Sequence, residues 1–212
     1  GNHMLFRSFI AAAAIALAPG VASAATTTLF YDDFDAEVAG AASTVQTTNY
    51  TGLTNWTITD GTVDLFTNGG FGLPCGSAGC LDLDGSSGNA VTMQTNAAFN
   101  FLAGANYTLS LGFSGKNGNG AETVYYAFAG ATPGTFSSPV GSQVATNVQT
   151  SVSFGASGSG VIVIESLGGD NFGMLLDWVS LTSTTTAVPL PAGLPLLVAG
   201  LGVFGVMRRR KS

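Results

Sequence analysis

Basic side chains are almost absent from the middle of this chain. Between residues 25 and 192 there is no arginine and no histidine, and Lys116 is the only lysine. All twelve acidic residues lie in the same stretch, which gives it a formal charge of about −11. Phosphate binding depends mainly on lysine and arginine, so we expect this stretch to bind neither nucleic acid nor anionic lipid. The lack of histidine also excludes a Ser-His-Asp triad, a Cys-His pair and a histidine-ligated zinc site.

Long amphipathic helices and nucleotide-binding motifs are missing too. The sequence contains no P-loop and no Rossmann fingerprint. Its middle instead alternates apolar and polar residues in short runs separated by Gly/Asn turns, a pattern typical of strands with one buried face. Ten such runs predict strands at residues 29–33, 56–59, 62–66, 80–84, 90–95, 107–114, 123–129, 148–154, 161–166 and 175–182. This pattern predicts an all-β fold, a β-sandwich that is most simply a jelly roll.

Cysteine is scarce, with Cys75 and Cys80 as the only two, in the segment CGSAGC. A redox motif needs two residues between its cysteines, whereas four lie between these. In an oxidising compartment we therefore expect a local structural disulfide. The loop that it closes is small, so its stabilisation in the chain-entropy model is about 2 kcal/mol.

The N-terminal end has the parts of a secretory signal peptide. Residues 1–3 precede Met4 and are interpreted as a cloning or gene-start remnant. Arg7 supplies a positive charge, a short apolar run follows, and residues 22–24 form an A-x-A cleavage site. We therefore expect residues 1–24 to form a signal helix that is removed on export, leaving residues 25–182 as the working domain.

The C-terminal end, residues 188–212, follows a polar Thr/Ser linker at residues 183–187 and has three parts. It starts with a five-residue motif, continues as an uncharged apolar run and ends in a basic cluster: Val188, Pro189, Leu190, Pro191 and Ala192, then Arg208, Arg209, Arg210 and Lys211. At ~1.5 Å per residue, the twenty residues before the cluster would span roughly 30 Å, about one hydrocarbon core. The basic cluster then acts as a positive-inside stop.

This three-part order resembles the PEP-CTERM sorting signals of Gram-negative bacteria, in the variant whose motif is Val-Pro-Leu-Pro-Ala. The resemblance implies a transmembrane sorting helix that is held transiently in the inner membrane and recognised by an exosortase. Cleavage near the motif would then pass the protein outward, with the secretion machinery, to the cell surface or extracellular space. An ordinary C-terminal anchor helix is the alternative interpretation.

Four segments of the middle region carry a second resemblance. They read GTVDL at 61–65, LDLDG at 81–85, AGANYTLS at 103–110 and LLDWVSL at 175–181. In this order and spacing they resemble the exported choice-of-anchor β-sandwich proteins, which are similar in turn to galactose-binding-like and carbohydrate-binding jelly rolls. The likeness covers most of residues 31–182. The chain departs from the family at Trp178, where the usual residue is asparagine.

The second resemblance also implies a structural calcium between the first and last strands. Asp35 and Asp177 match the expected ligand positions, and Asp33 is the third candidate. Calcium takes six to eight hard oxygen ligands, which carboxylates and backbone carbonyls supply without histidine. The alternative is that these side chains are solvated loop residues or turn caps. Asp82 and Asp84 alternate with leucines, so we expect them on the wet face of a strand and not at a metal.

Sugar binding requires exposed aromatic faces beside a few hydrogen-bonding groups. Phe71, Tyr125, Tyr126 and Trp178 are weak candidates, because most aromatic residues of a sandwich pack in its core. Tyr125 and Tyr126 are adjacent, so in a strand one of them faces inward and the other outward. Phe71 lies among glycines, which places it on a loop.

Three functions compete on this evidence. The main hypothesis is an exported, non-catalytic β-sandwich protein of the cell surface or of an exopolysaccharide-associated extracellular matrix, such as that of a biofilm. The alternative is a carbohydrate-binding module that recognises a polysaccharide. A glycoside hydrolase or lyase is a remote third, because it needs two carboxyl groups about 5 or 6.5–9.5 Å apart in a cleft. We therefore expect no enzymatic activity, and no cofactor apart from calcium.

Overall fold

The computed structural model of the protein describes residues 24–40, 45–116, 121–138 and 145–185, together with Leu201. Within it, Ala25–Thr186 form one compact unit. The predicted signal peptide, sorting motif and basic cluster lie outside the described residues. In the part of the chain that is described, no helix combines the length and the apolar character needed to cross a membrane.

The described residues form fourteen strands, one short α-helix and one turn of 3₁₀ helix. The strands are β1 (Ala25–Asp32), β2 (Gln46–Thr47), β3 (Trp56–Asp60), β4 (Asp64–Thr67), β5 (Gly79–Asp82), β6 (Thr92–Thr95), β7 (Phe99–Phe101), β8 (Asn106–Lys116), β9 (Glu122–Phe128), β10 (Gly134–Ser138), β11 (Thr146–Ser153), β12 (Gly158–Gly160), β13 (Ile162–Leu167) and β14 (Met174–Thr185). The α-helix α1 spans Asp35–Gly40, and the 3₁₀ turn spans Gly70–Gly72.

Two antiparallel sheets form the sandwich. One sheet has seven strands in the order β11-β8-β14-β5-β4-β2, with β1 also paired to β14, and the other has the order β10-β9-β13-β6-β3. A small third sheet pairs β12 with β7. Strands that follow one another in the chain repeatedly fall in opposite sheets, as in a jelly roll. The predicted β-sandwich is confirmed, and each of the ten predicted strands corresponds to an observed one.

The main core lies between the two sheets and follows from the alternation along each strand. In β8, Tyr107, Leu109, Leu111 and Phe113 are all buried in the core, while Thr108 and Ser110 between them are partly exposed. The strand β9 alternates in the same way over its whole length. Because successive side chains of a strand point to opposite faces, this period of two gives each sheet one apolar face for the core.

A second, smaller cluster covers part of the opposite face of the seven-stranded sheet. It contains Phe66, Leu73, Cys75, Cys80 and Leu175. The predicted disulfide between the two cysteines is confirmed, with an S–S distance of 2.03 Å. This cluster attaches the loop between β4 and β5 to the outside of the sheet.

The last strand, β14, organises the seven-stranded sheet. It pairs with β8 along one side and with both β1 and β5 along the other, so the first and last strands are neighbours. The register between β14 and β8 shifts between Leu176 and Trp178, which makes Asp177 an extra residue in a bulge. The strand continues to Thr185, so residues 183–185, predicted as linker, are strand paired with β1.

Candidate functional site

An open depression of about 460 Å³ lies at the β2–β4 edge of the seven-stranded sheet. Its volume falls in the range of roughly 300–1,000 Å³ that is usual for ligand pockets. Two exposed phenyl rings, of Phe71 and Phe172, line it together with the polar side chains of Gln46, Ser86 and Asn171, and the buried Phe66 and Leu73 complete its apolar part. The buried Asp64 also belongs to its lining. The depression therefore combines aromatic surface with hydrogen-bonding groups.

Phe71 is presented to solvent by a tightly turned, glycine-rich loop. Its side chain is 72% exposed, and its φ of 51° is left-handed. A bulky residue in this conformation costs about 1–3 kcal/mol, and it persists only where the surroundings fix it. The ring meets the buried Phe66 edge-on, with centroids 6.1 Å apart. Because Phe66 belongs to the disulfide cluster, the exposed ring packs against the edge of that cluster.

Phe172 is presented by the loop between β13 and β14, and two buried carboxylates hold that loop. Oδ2 of Asp84 accepts backbone N–H hydrogen bonds from residues 169, 170 and 171, at 2.6, 2.7 and 3.2 Å. Oδ1 of Asp82 accepts the N–H of Gly173 at 2.7 Å. The Phe172 ring, 46% exposed, therefore sits on a loop clamped on both sides of it.

The prediction that Asp82 and Asp84 lie on a wet strand face is wrong. Their exposed fractions are 1% and 0%. The alternation itself is correct, because Leu81 and Leu83 face the main core and the two aspartates face the other way. What the pattern does not reveal is that the loop before β14 folds over this face and supplies N–H donors to Oδ1 of Asp82 and Oδ2 of Asp84.

Asp64 organises the polar side of the depression. Its Oδ1 accepts the N–H groups of Asn49 and Ser86, at 2.7 and 3.0 Å. Its Oδ2 accepts Nε2 of Gln46 and the hydroxyl of Ser86, both at 2.6 Å. These four bonds tie β2 to the loop that follows β5. They also orient the Gln46 amide and the Ser86 hydroxyl, because each directs a hydrogen at the carboxylate.

The predicted aromatic residues do not come together, and only Phe71 lines the depression. Trp178 stacks on Tyr31 elsewhere on the seven-stranded sheet, with centroids 6.4 Å apart. Tyr125 is half-buried on the other sheet, and Tyr126 is only 3% exposed. As predicted, the two adjacent tyrosines face opposite ways, but the core position of Tyr126 makes it wrong as a sugar-binding candidate.

Phe172 is the aromatic residue that the sequence reasoning missed. Like Phe71, it follows a pair of glycines within a few residues, in GGDNFG as against GGFG. The alternation of a strand does not direct an aromatic residue of a glycine-rich turn into the core, so its ring can remain at the surface. The glycine-rich sequence around Phe172 could therefore have indicated an exposed aromatic residue.

The three candidate calcium ligands all contact the disulfide loop. Oδ1 of Asp35 accepts the N–H groups of residues 78 and 79, at 2.8 and 3.2 Å. Oδ1 of Asp177 accepts the N–H of residue 76 at 2.8 Å and the hydroxyl of Ser114 at 2.9 Å. The backbone carbonyl of Asp33 accepts the hydroxyl of residue 77 at 3.2 Å. The first and last strands thus meet at this loop.

These contacts bear on whether the residues fit a calcium ion. Oδ1 of Asp35 and of Asp177 is occupied by hydrogen-bond donors, whereas calcium requires converging oxygen ligands. Within the described ranges, the one group of three metal-ligating side chains is Cys75, Cys80 and Asp177, and its two sulfurs are bonded to each other. Burial raises the pKa of the Asp177 carboxyl, although its two hydrogen bonds lower it. Calcium stays a prediction.

Comparisons with known proteins give partial structural likenesses. No protein-family model matches the chain, and no curated protein matches it. The chain is similar to the C-terminal CBM6 of LamC, a marine laminarinase from Zobellia galactanivorans, at 17% identity and a TM-score of 0.38, over 65% of this chain and 98% of that one. It is similar to CBM35 from Paenibacillus barcinonensis at 13% identity and a TM-score of 0.41, over 65% and 97%.

A further likeness is to an exo-β-1,3-galactanase from Phanerochaete chrysosporium, at 16% identity and a TM-score of 0.35. It covers 66% of this chain but 29% of the galactanase. Values of this size assign neither a family nor a function.

Proposed function

We propose that this domain is a non-catalytic carbohydrate-binding module and that the depression between Phe71 and Phe172 holds the saccharide. The observation that carries the proposal is the pair of exposed phenyl rings beside polar side chains on fixed loops. An aromatic face carries negative charge density and attracts the C–H groups of a pyranose ring, while amides and hydroxyls bond its hydroxyl groups. Rings that are already held in place lose little conformational entropy on binding.

The acidic groups favour binding over hydrolysis. A glycoside hydrolase uses two carboxyl groups, about 5 Å apart in retaining enzymes and 6.5–9.5 Å apart in inverting ones. Among the described residues that line the depression, Asp64 is the single carboxylate. Both of its oxygens are engaged in four hydrogen bonds, so it supports the site and does not present a free acid or base.

The two ends of the sequence support an extracellular setting for this activity. A signal peptide at residues 1–24 and a PEP-CTERM-like end at residues 188–212 would deliver the domain to the cell surface or matrix through an exosortase. Exopolysaccharide is abundant there, and a module that binds it would attach the protein to the matrix. The competing role, a structural protein without glycan affinity, shares the same route of export.

The test is a binding survey of the mature secreted protein against soluble polysaccharides by affinity electrophoresis, followed by calorimetry on any that bind. Phe71→Ala and Phe172→Ala should each weaken binding at least about tenfold, which corresponds to 1.4 kcal/mol. Phe71→Tyr should bind like the wild type because it keeps the ring. Tyr125→Ala, a half-buried aromatic on the other sheet, is the matched control and should change nothing.

Two results would overturn the proposal. If no polysaccharide binds, the structural role is favoured. If a polysaccharide binds but neither phenylalanine variant weakens it, the saccharide is held elsewhere, and the same titration on Trp178→Ala would examine the Tyr31–Trp178 pair.

A further inference from the structure

The described residues that line the depression include one carboxylate and no basic side chain. We infer that the site selects uncharged saccharides and rejects polymers that carry carboxylate, sulfate or phosphate groups. This inference rests on the proposed function and names its substrate class. Three observations carry it: the charge around the site, the direction of its hydrogen bonds and the state of Asp64.

The charge around the depression is negative. None of the described lining residues is basic, and Asp64 places a carboxylate in its lining with 2% exposure. Lys116 is the one basic residue between positions 25 and 192, against twelve acidic ones. A like charge brought close to this carboxylate is repelled by it, which weakens binding. An anionic saccharide would meet this repulsion without a compensating cation from the lining.

The hydrogen bonds around Asp64 also favour an uncharged saccharide. The Ser86 hydroxyl donates its only hydrogen to Oδ2, so it can offer a ligand only its lone pairs. The Gln46 amide also directs a hydrogen at Oδ2, which fixes its orientation in the lining. A ligand at Ser86 must therefore donate a hydrogen bond. Sugar hydroxyl groups do so, whereas ionised carboxylates and sulfates have no hydrogen to donate.

Asp64 is also unsuited to recruit a cation that would bridge to an anionic sugar. Each of its oxygens accepts two hydrogen bonds, from backbone, amide and hydroxyl donors. A metal would have to displace donors that tie β2 to the loop after β5. Asp64 thus stabilises the site through its hydrogen bonds, and its carboxylate still repels anions.

The sharpest experiment uses matched pairs of polymers with the mature secreted protein. Each polysaccharide that binds is compared with its own carboxymethylated form, in chelator, by calorimetry. We expect carboxymethylation to weaken binding at least about tenfold, and binding of the parent polymer to be insensitive to ionic strength. The reverse change removes charge from a uronate polymer such as pectate by reducing its carboxyl groups. The reduced polymer should bind more tightly than the unreduced one.

A variant pair tests the hydrogen-bond step separately. Ser86→Ala should weaken binding of the parent polymer about fivefold, the effect expected from losing one hydrogen bond. Ser87→Ala is the matched control, because Ser87 is exposed and its hydroxyl bonds to Thr62. Thermal unfolding of both variants shows whether weaker binding comes from the lost hydroxyl contact or from a lost fold. If Ser86→Ala does not fold, Ser86→Thr takes its place; it keeps the hydroxyl and should bind the polymer like the wild type.

The outcomes separate the two levels of the proposal. A carboxymethylated polymer bound as tightly as its parent overturns the inference and leaves the proposed function intact. Failure of every parent polymer to bind overturns the proposed function itself. Weaker binding of each charged form, with Ser86→Ala impaired and Ser87→Ala unchanged, supports both.

Discussion

At the scale of single residues, Asp177 is the most unusual group of the domain. It is the extra residue of a bulge, is 4% exposed, and has its carboxyl pKa raised above the ordinary value of 3.8 by burial. The folded state therefore holds the proton to a higher pH than the unfolded state does. The resulting stabilisation is fully present below the ordinary pKa and is lost as the pH rises through the raised folded value.

This gives a prediction for stability in the presence of a chelator. The free energy of unfolding of the wild type, relative to Asp177→Asn, should fall as the pH increases from about 4 upward, because only the wild type must ionise a buried carboxyl. The asparagine keeps an oxygen that can accept the hydrogen bonds from Gly76 and Ser114. Urea denaturation of both proteins over a series of pH values measures the difference. A difference that does not change with pH would contradict the assignment.

Repeating that series with calcium tests the predicted metal site. A cation held by Asp35 and Asp177 favours the ionised carboxyl, so it should lower the pKa of Asp177 and remove the loss of stability at higher pH. It should also raise the thermal midpoint of the wild type but not that of Asp177→Asn. Identical pH profiles in calcium and in chelator would count against a calcium site at these residues.

At the scale of elements, buried aspartates hold the loops that form the depression. Asp84 accepts three consecutive backbone N–H groups of the loop that presents Phe172. Asp84→Ala leaves those donors without their acceptor, so it should lower the free energy of unfolding by at least about 2 kcal/mol. It should also weaken saccharide binding as Phe172→Ala does, because the ring loses its support.

The matched control for this change is Asp60→Ala. Asp60 is exposed, and within the described residues its side chain accepts a hydrogen bond from the adjacent Gly61 N–H, so its removal should change stability by less than about 0.5 kcal/mol. Denaturation and calorimetry on the two variants measure both effects. A stable Asp84→Ala with unchanged binding would refute the role given to the carboxylate.

The same loops mark the limit of what could be predicted from sequence. Strands with a clear alternation, such as β8 and β9, were predicted because one face must be buried in the core. The strands β2, β7, β10 and β12 have two to five residues, and β12 is Gly-Ser-Gly, so their pairing is set by neighbours and not by pattern. Which face a loop covers is likewise decided by tertiary contacts, and for this reason the burial of Asp82 and Asp84 was missed.

At the scale of the whole molecule, charge is distributed very unevenly along the chain. The full sequence has a formal charge of −6, whereas residues 25–192 carry about −11, because five of the six basic residues lie at the two ends. Removal of the ends would therefore leave a strongly acidic domain. Such a domain repels anionic polymers at long range, in line with the selectivity inferred for its depression.

The export hypothesis predicts where the mature chain ends. In a Gram-negative host with an exosortase, mass spectrometry of the released protein should find a start near Ala25 and an end near Ala192, without Arg208–Lys211. In a host without the exosortase, the peptide that ends at Lys211 or Ser212 should persist in the membrane fraction. Pro191→Ala, inside the motif, should block processing, whereas Pro195→Ala, just outside it, serves as the control and should be processed normally. A released protein that retains Lys211 would contradict sorting, and a membrane-bound one in the exosortase host would favour the plain anchor helix.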